Sequence, residues 1–278
     1  MNYDTPDDDA AILYYDGDYP SLELDPAPNG DDVESLRRNG LLGDVAFYLA
    51  AAQHCGGPIL ELGCGDGRLT IPLARAGYAV AGVDVSRPML TRCQRRLAAE
   101  RATVAERVSL LAADATTLDL ADARFPLVII PFNVLILMAE RPRQRALLDV
   151  AARHLAPGGR LALDVMNPLV LSLGGDSSPQ PSMPRRNPAT GNSYVKHAVT
   201  SRIDADQRQR IYGWYEEQLP SGAAFTSDFS YWWRLIFRGE MTALLELSGL
   251  AEEQVWGDFD GGAWDVDSPR IIVQAAKN

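Results

Sequence analysis

The run Ile59-Leu60-Glu61-Leu62-Gly63-Cys64-Gly65-Asp66-Gly67-Arg68-Leu69-Thr70 limits the possible folds more than any other part of the chain. An apolar stretch ends in an acid, three glycines follow at alternate positions, and an amphipathic stretch begins. The pattern predicts a strand, a tight turn and a helix start. Glycine supplies backbone conformations that a Cβ forbids, and it lets a ligand come close to the main chain. In doubly wound α/β folds the first such turn is where a nucleoside-bearing cofactor binds.

The glycine spacing argues against a dinucleotide. That fingerprint is G-x-G-x-x-G, with the last glycine set back for helix packing and a pyrophosphate on the helix N-terminus. Here the spacing is G-x-G-x-G, and Arg68 stands at the set-back position. Glu61, two residues before the first glycine, repels a diphosphate but not a cofactor that carries an amino group or a positive charge. The segment resembles motif I of the class I S-adenosylmethionine (SAM) methyltransferases. The resemblance implies that Glu61, Gly63, Gly65 and Gly67 form the SAM turn.

Further pieces follow in order. Tyr78 to Asp84 reads as a second strand ending in an acid, 21 residues after Gly63. An acid at that place can accept from both ribose hydroxyls. The resemblance assigns the ribose to Asp84 and the adenine faces to Val85 and Met89. Val108 to Ala113 reads as a third strand, followed by Asp114-Ala115. By resemblance Asp114 accepts from the adenine amino group and the Ala115 N–H meets the ring. Leu127 to Pro131 is the fourth strand and runs into Phe132-Asn133, where the resemblance implies contact with the methionine part of SAM. The fifth, Leu161 to Met166, follows the turn Ala156-Pro157-Gly158-Gly159-Arg160. Alone, a strand-end acid is also a helix cap, and Pro-Gly-Gly is also an ordinary turn. The order and βα spacing of all five carry the resemblance, closely over residues 40–170 and more loosely at the ends.

The expected fold is therefore α/β: a doubly wound, seven-stranded, mostly parallel sheet whose last strand inserts antiparallel. Residues 41–54, 67–77, 87–102 and 142–155 read as helices, with Pro88 and Pro142 in first turns. Arg92, Arg95, Arg96 and Arg101 read as a solvated helix face. Residues 168–193, rich in Pro and Gly, read as a long loop. The runs Tyr194 to Ile203, Ile211 to Leu219 and Phe225 to Ile236 alternate with period two, and Asp204 to Gln207 reads as a hairpin turn. They predict a small antiparallel β cap inserted after strand five, similar to caps in glycine N-methyltransferase and amino-sugar N-methyltransferases. A helix over 239–248 stops at Gly249, and a closing hairpin ends the chain. This divides the chain into a lid segment (1–40), a SAM-binding core (41–168 and 239–278) and the cap (169–238). In the lid, Tyr15-Asp16-x-x-Tyr19 resembles a Y-D-x-x-Y element that covers cofactor and substrate in small-molecule methyltransferases; simple packing is the alternative.

Composition narrows the partners. A formal net charge of −11 argues against nucleic acid, which calls for a basic face. Cys55, Cys64 and Cys93 form no C-x-x-C pair and His54, His154 and His197 are scattered, so no metal site and no disulfide frame are expected. Met1 to Asp9 lacks a basic-then-apolar signal pattern and no apolar run is of membrane-spanning length, which predicts a cytoplasmic protein; the sequence does not choose between monomer and homodimer.

Methyl transfer from a sulfonium is an in-line displacement that needs positioning and exclusion of water more than a fixed triad. The sequence therefore points to a small-molecule acceptor, methylated on N or O, without naming it. Asn133 and Tyr19 are candidates for the catalytic side, with helix capping as the alternative for Asn133. Asn167 and Trp233 are candidates to meet the acceptor, Asn167 with an ordinary Asn-Pro turn as its alternative. His197 is the one histidine in the cap and a candidate base. A second reading keeps the same motifs but uses SAM whole, releasing methylthioadenosine and a cyclic amino acid such as azetidine-2-carboxylate. A non-catalytic SAM sensor and a dehydrogenase stand further off.

Overall fold

The computed structural model describes residues 10–25 and 30–277. The readings of Met1 to Asp9, and part of the lid segment, lie outside these. The central sheet contains β1 (Ile59–Leu62), β2 (Val80–Asp84), β3 (Val108–Ala112), β4 (Phe125–Ile130), β5 (Leu155–Met166), β11 (Leu250–Trp256) and β12 (Arg270–Lys277). Its order is β3-β2-β1-β4-β5-β12-β11. Strands β1 to β5 are parallel, and β12 runs antiparallel between β5 and β11. This is the expected arrangement. All four residues of β1 are buried, as suits a parallel strand covered on both faces. The chain turns to opposite sides after β1, so the crevice of the switch point opens between β1 and β4.

The short helices α1 (Ala10–Leu13) and α2 (Tyr15–Asp18) open the described chain. Next, α3 (Gly30–Arg38), α4 (Asp44–Cys55) and, after β1, α5 (Thr70–Arg75) cover one face of the sheet through Leu36, Val45, Tyr48 and Leu73. On that side α6 (Arg87–Ala98) packs Cys93 and Leu97 on Ile71 and leads to α7 (Ala102–Ala105). α8 (Val134–Leu137), α9 (Arg141–His154) and α10 (Arg238–Leu247) cover the other face through Leu135, Leu147, Leu148, Met241 and Leu245. The end signals act as read: Ser86 caps α6 ahead of Pro88, and Gly249 follows α10 at φ +72°. Among the described residues no helix is long and apolar enough to cross a membrane.

Between β5 and α10 lies a second, antiparallel sheet of β6 (Gln180–Pro181), β7 (Arg185–Arg186), β8 (Ser193–Thr200), β9 (Arg208–Gln218) and β10 (Ala224–Arg234). The three alternating runs become β8, β9 and β10, and the Gln207 N–H donates to the Asp204 carbonyl at 3.1 Å in the expected turn. Two local readings are corrected. The 168–193 stretch is not all loop, because β6 and β7 pair with β8. The Pro-Gly-Gly turn is a bulge inside β5 rather than a connection before it. Phe125 faces Leu155 while Leu127 faces Arg160. A Cβ on Gly159 would come within 2.9 Å of the Phe125 carbonyl, which explains the glycine there.

A buried ion pair ties these parts together. Asp164 in β5 and Arg270 at the start of β12 are 1% and 0% exposed, with the guanidinium on the carboxylate. The other carboxylate oxygen accepts from the Tyr48 hydroxyl at 2.5 Å and from the Phe132 N–H at 2.9 Å. Arg270 also donates to Asn133 Oδ1 at 3.0 Å and to the Asn39 carbonyl at 3.2 Å. Removing one partner leaves the other charge buried. Arg270→Met is expected to lower unfolding free energy by about 3–5 kcal/mol, measured by urea denaturation.

Candidate active site

A crevice of about 290 Å³ opens where the switch point predicts it. Its floor is the glycine turn. Gly63 and Gly65 line it at φ +87° and +54°. A Cβ on Gly63 would meet Val134 Cγ2 at 2.4 Å, so this glycine is fixed by packing as well as by dihedral. Gly67, at φ +89°, is not on the wall; a Cβ there would meet Cys93 Sγ at 2.6 Å, which makes it a helix-packing glycine. Asp84 also lines the crevice. Its Oδ2 accepts from the Gly65 N–H and its Oδ1 from the Ser86 N–H, both at 2.8 Å. Burial raises its pKa despite these bonds. Met89 is on the wall, while Val85 and Ala115 line an adjoining hollow of about 60 Å³ that shares Gly63 and Asp84 with the main crevice.

Two cofactor candidates stand elsewhere. Glu61 lies beneath the turn, 2% exposed and off the wall, and accepts from the Thr70 hydroxyl at 2.5 Å. Burial pushes its pKa up to about 8, so it holds the turn as a neutral acid rather than meeting a ligand as a charge. Asp114 is likewise off the wall. Its Oδ1 accepts from the Thr116 N–H and hydroxyl and its Oδ2 from Arg143 at 2.9 Å. Burial alone would raise its pKa, but the Thr116 bonds and the Arg143 charge lower it.

The opposite wall comes from the β4–α8 turn and the N-terminal segment. Phe132 and Asn133 hold φ of +47° and +65°, a strained pair of non-glycine residues. Asn133 stands at the N-cap position of α8, but its side chain does not cap the helix. Its Oδ1 accepts from the Met166 N–H at 2.8 Å and from Arg270. Its Nδ2 makes no hydrogen bond among the described residues, and the residue lines the crevice. Tyr15 and Tyr19 line it too, with Tyr19 edge-on to Phe132 at 4.8 Å between ring centres. Trp233 is on the wall with its indole N–H on Gln209 Oε1 at 3.3 Å.

Asn167 is not on the wall. It is 1% exposed, donates to the Val266 and Ser268 carbonyls and accepts from the Leu169 N–H, which makes it the anchor of its own turn. His197 is on the outer side of the cap, stacked on Trp214 at 4.8 Å. Arg92 and Arg96 are not merely solvated. Both reach Asp16 of the lid, Arg92 donates to the Leu13 carbonyl, and Arg96 bonds Asp66 of the glycine turn at 2.5 Å.

Residues 59–159 match the methyltransferase domain family. The chain is 30% identical over 254 residues to the cypemycin N-terminal methyltransferase of a Streptomyces species, across 91% of this chain and 97% of that protein. The chain belongs to the class I SAM-dependent methyltransferases. Among solved structures this methyltransferase is similar in fold to the CcbJ methyltransferase of Streptomyces caelestis (TM-score 0.72, 22% identity, 96% of this chain and 98% of that one). It is also similar to SAM-bound CalS10 of Micromonospora echinaspora, an amino pentose methyltransferase (TM-score 0.66, 20% identity, 91% and 100%). SAM is the cofactor of the family, and the crevice suits it: positive-φ glycines leave the main chain bare, a half-buried carboxylate lines it, and an apolar hollow adjoins.

Sequence reasoning missed two residues of this methyltransferase's site, Asp18 and Lys196. Asp18 is 2% exposed and accepts from Tyr194, Tyr215, Lys196 and Arg185. Lys196 lines the crevice. The signal for Lys196 was available, since it shares the inward face of β8 with Tyr194.

Glu61 gives this site a pH signature. Between its ordinary value of 4.5 and about 8 the folded chain holds a proton that the unfolded chain releases. Stability of the cofactor-free protein is therefore expected to fall as pH rises through that window. In Glu61→Gln that part of the slope should vanish, as read from denaturation midpoints at several pH values.

Proposed function

We propose that this enzyme transfers the SAM methyl group to the nitrogen of a small-molecule amine held between the lid, the β4–α8 turn and the cap. The observation that carries this reading is the lack of a disposable base on the wall. Among the described residues the one carboxylate there is Asp84, bonded to its own turn, and the one cation is Lys196, bonded to Asp18. Burial raises the pKa of Tyr15 and Tyr215, so these phenols keep their protons. A hydroxyl acceptor calls for a base in the transition state, whereas a neutral amine brings its own lone pair. The Streptomyces relative, an N-terminal methyltransferase, supports the same atom.

When bound, SAM supplies an electrophilic methyl on a sulfonium that leaves readily. The protein's work is to bind, orient and exclude water. In this reading Asp84 accepts from the ribose hydroxyls, and Gly63 and Gly65 let the cofactor lie against the backbone. Val85, Met89 and Ala115 sandwich the adenine. Asp114 is fixed by Arg143, and its Oδ2, which accepts one bond there, has a second lone pair for the adenine amino group. Tyr15, Tyr19 and Phe132 close over the cofactor, and the open Nδ2 of Asn133 orients a neighbouring oxygen.

Asp84→Ala is expected to weaken SAM binding by about 1–3 kcal/mol, read by calorimetry, because the ribose loses a charged acceptor. For the reaction itself, the purified protein is incubated with SAM and a panel of amines, phenols and carboxylates, and products are followed by mass spectrometry. Methylated amines are expected, with kcat/KM rising with pH through the pKa of the acceptor amine. Methylated phenols alone would move the reading to oxygen. Methylthioadenosine formed at an enzymatic rate from SAM alone would replace transfer with the SAM-consuming reaction.

A further inference from the structure

The acceptor end of the crevice holds one cation, and its setting is unusual. Lys196 is on the wall beside Ser230 and Tyr231, with its Nζ 4.8 Å from the centre of the Phe229 ring and 5.3 Å from that of Tyr215. An ammonium has three N–H donors. Among the described residues, one side-chain acceptor meets this one, Asp18 Oδ2 at 2.8 Å. Burial alone would lower the Lys196 pKa, but Asp18 more than offsets this and the ammonium stays charged. Asp18 itself is shared. It also receives Arg185, at 3.3 Å, and two tyrosine hydroxyls. One carboxylate thus answers two cations, and the uncompensated positive charge faces the crevice through Lys196.

SAM adds to that charge, because its sulfonium and ammonium outnumber its carboxylate. A plain alkylammonium entering the loaded crevice meets positive charge with no carboxylate free to receive it. An acceptor that brings its own anionic group is electrostatically matched.

We propose that Lys196 is the anion anchor of the acceptor site, and that the acceptor is an amine that also carries a carboxylate. The ammonium bonds the carboxylate and so turns the amine toward the methyl donor. This rests on the amine-transfer reading for the reaction, but the binding half stands without it.

The test uses pairs of probes that differ only in a carboxylate, phenylalanine with phenethylamine and tyrosine with tyramine. Binding is measured by calorimetry on the full chain saturated with S-adenosylhomocysteine, and methylation by mass spectrometry. The acid of each pair should bind at least about tenfold more tightly, the size of one charged hydrogen bond. Lys196→Met should erase that preference while SAM affinity changes less than about twofold. Lys196→Arg should keep it, which separates lost charge from a damaged fold. Equal binding within pairs, no binding by any probe, or a preference that persists in Lys196→Met overturns the proposal. Loss of SAM affinity in Lys196→Met also overturns it, by moving Lys196 to the cofactor carboxylate. An acid preference without methylation of either amine would leave the anchor standing and reject nitrogen transfer alone.

Discussion

The Asp164–Arg270 pair is the constraint on which the site depends. A charge pair this deep gains little over an apolar pair of the same shape, because desolvation offsets the attraction. Its value here is positional. The carboxylate accepts from the Phe132 N–H, and the guanidinium donates to Asn133 Oδ1. Those two bonds hold consecutive non-glycine residues at positive φ, a conformation that surrounding structure must impose. The strained turn in turn places Val134 over Gly63, so the two edges of the switch-point crevice are set against each other. Strand β12 is antiparallel to its neighbours, and this brings its first residue, Arg270, to the carboxyl end of β5 where the crevice lies.

The lid is held by charge at both ends. Asp16 meets Arg92 and Arg96 from α6, and Arg96 continues to Asp66 in the glycine turn. Asp18 meets the cap through Lys196, Tyr194 and Tyr215, while Tyr14 stacks on Tyr215 at 4.2 Å and donates to Glu217 at 2.7 Å. Tyr15 and Tyr19 lie on the same short stretch and face the crevice. Two acids two residues apart thus hook one segment to both the cofactor turn and the cap. The Asp18 end is the more buried of the two, with Asp18 3% and Lys196 15% exposed in their side chains, while the Asp16 pairs are partly exposed.

The glycine turn and the strand-end acid were legible because their requirements are local. Glycines at 63 and 65 answer a backbone need that no other residue meets, and Asp84 ends an apolar strand at a fixed distance. Glu61 and Asp114 show where such reading stops. An acid in a motif position advertises its chemistry but not which way it faces, and these two bond Thr70, Thr116 and Arg143 off the wall of the crevice. Asp164 and Arg270 are single charges within apolar runs, 106 residues apart, and their pairing depends on the antiparallel register of β12. Asp18 is in an acidic stretch that resembles solvated chain until its tyrosine and lysine partners fold over it.

The division between what was legible and what was not follows the chemistry. Sulfonium methyl transfer needs little from the protein at the reacting atom, so cofactor binding can be kept on one rigid frame while acceptors change. The family match over residues 59–159 spans the glycine turn, Asp84 and Asn133. Ile12, Lys196, Ser230, Tyr231 and Trp233 line the same crevice and all fall outside it. They come from the segment before the first strand, which meets the frame through the Asp16 pairs with Arg92 and Arg96, and from the second sheet, which meets it through the bonds between Arg234 and Gln144. A family assignment therefore fixes the methyl donor and does not name the acceptor. In the proposed reading the charge of those parts, with one carboxylate shared between two cations, is what would select the acceptor.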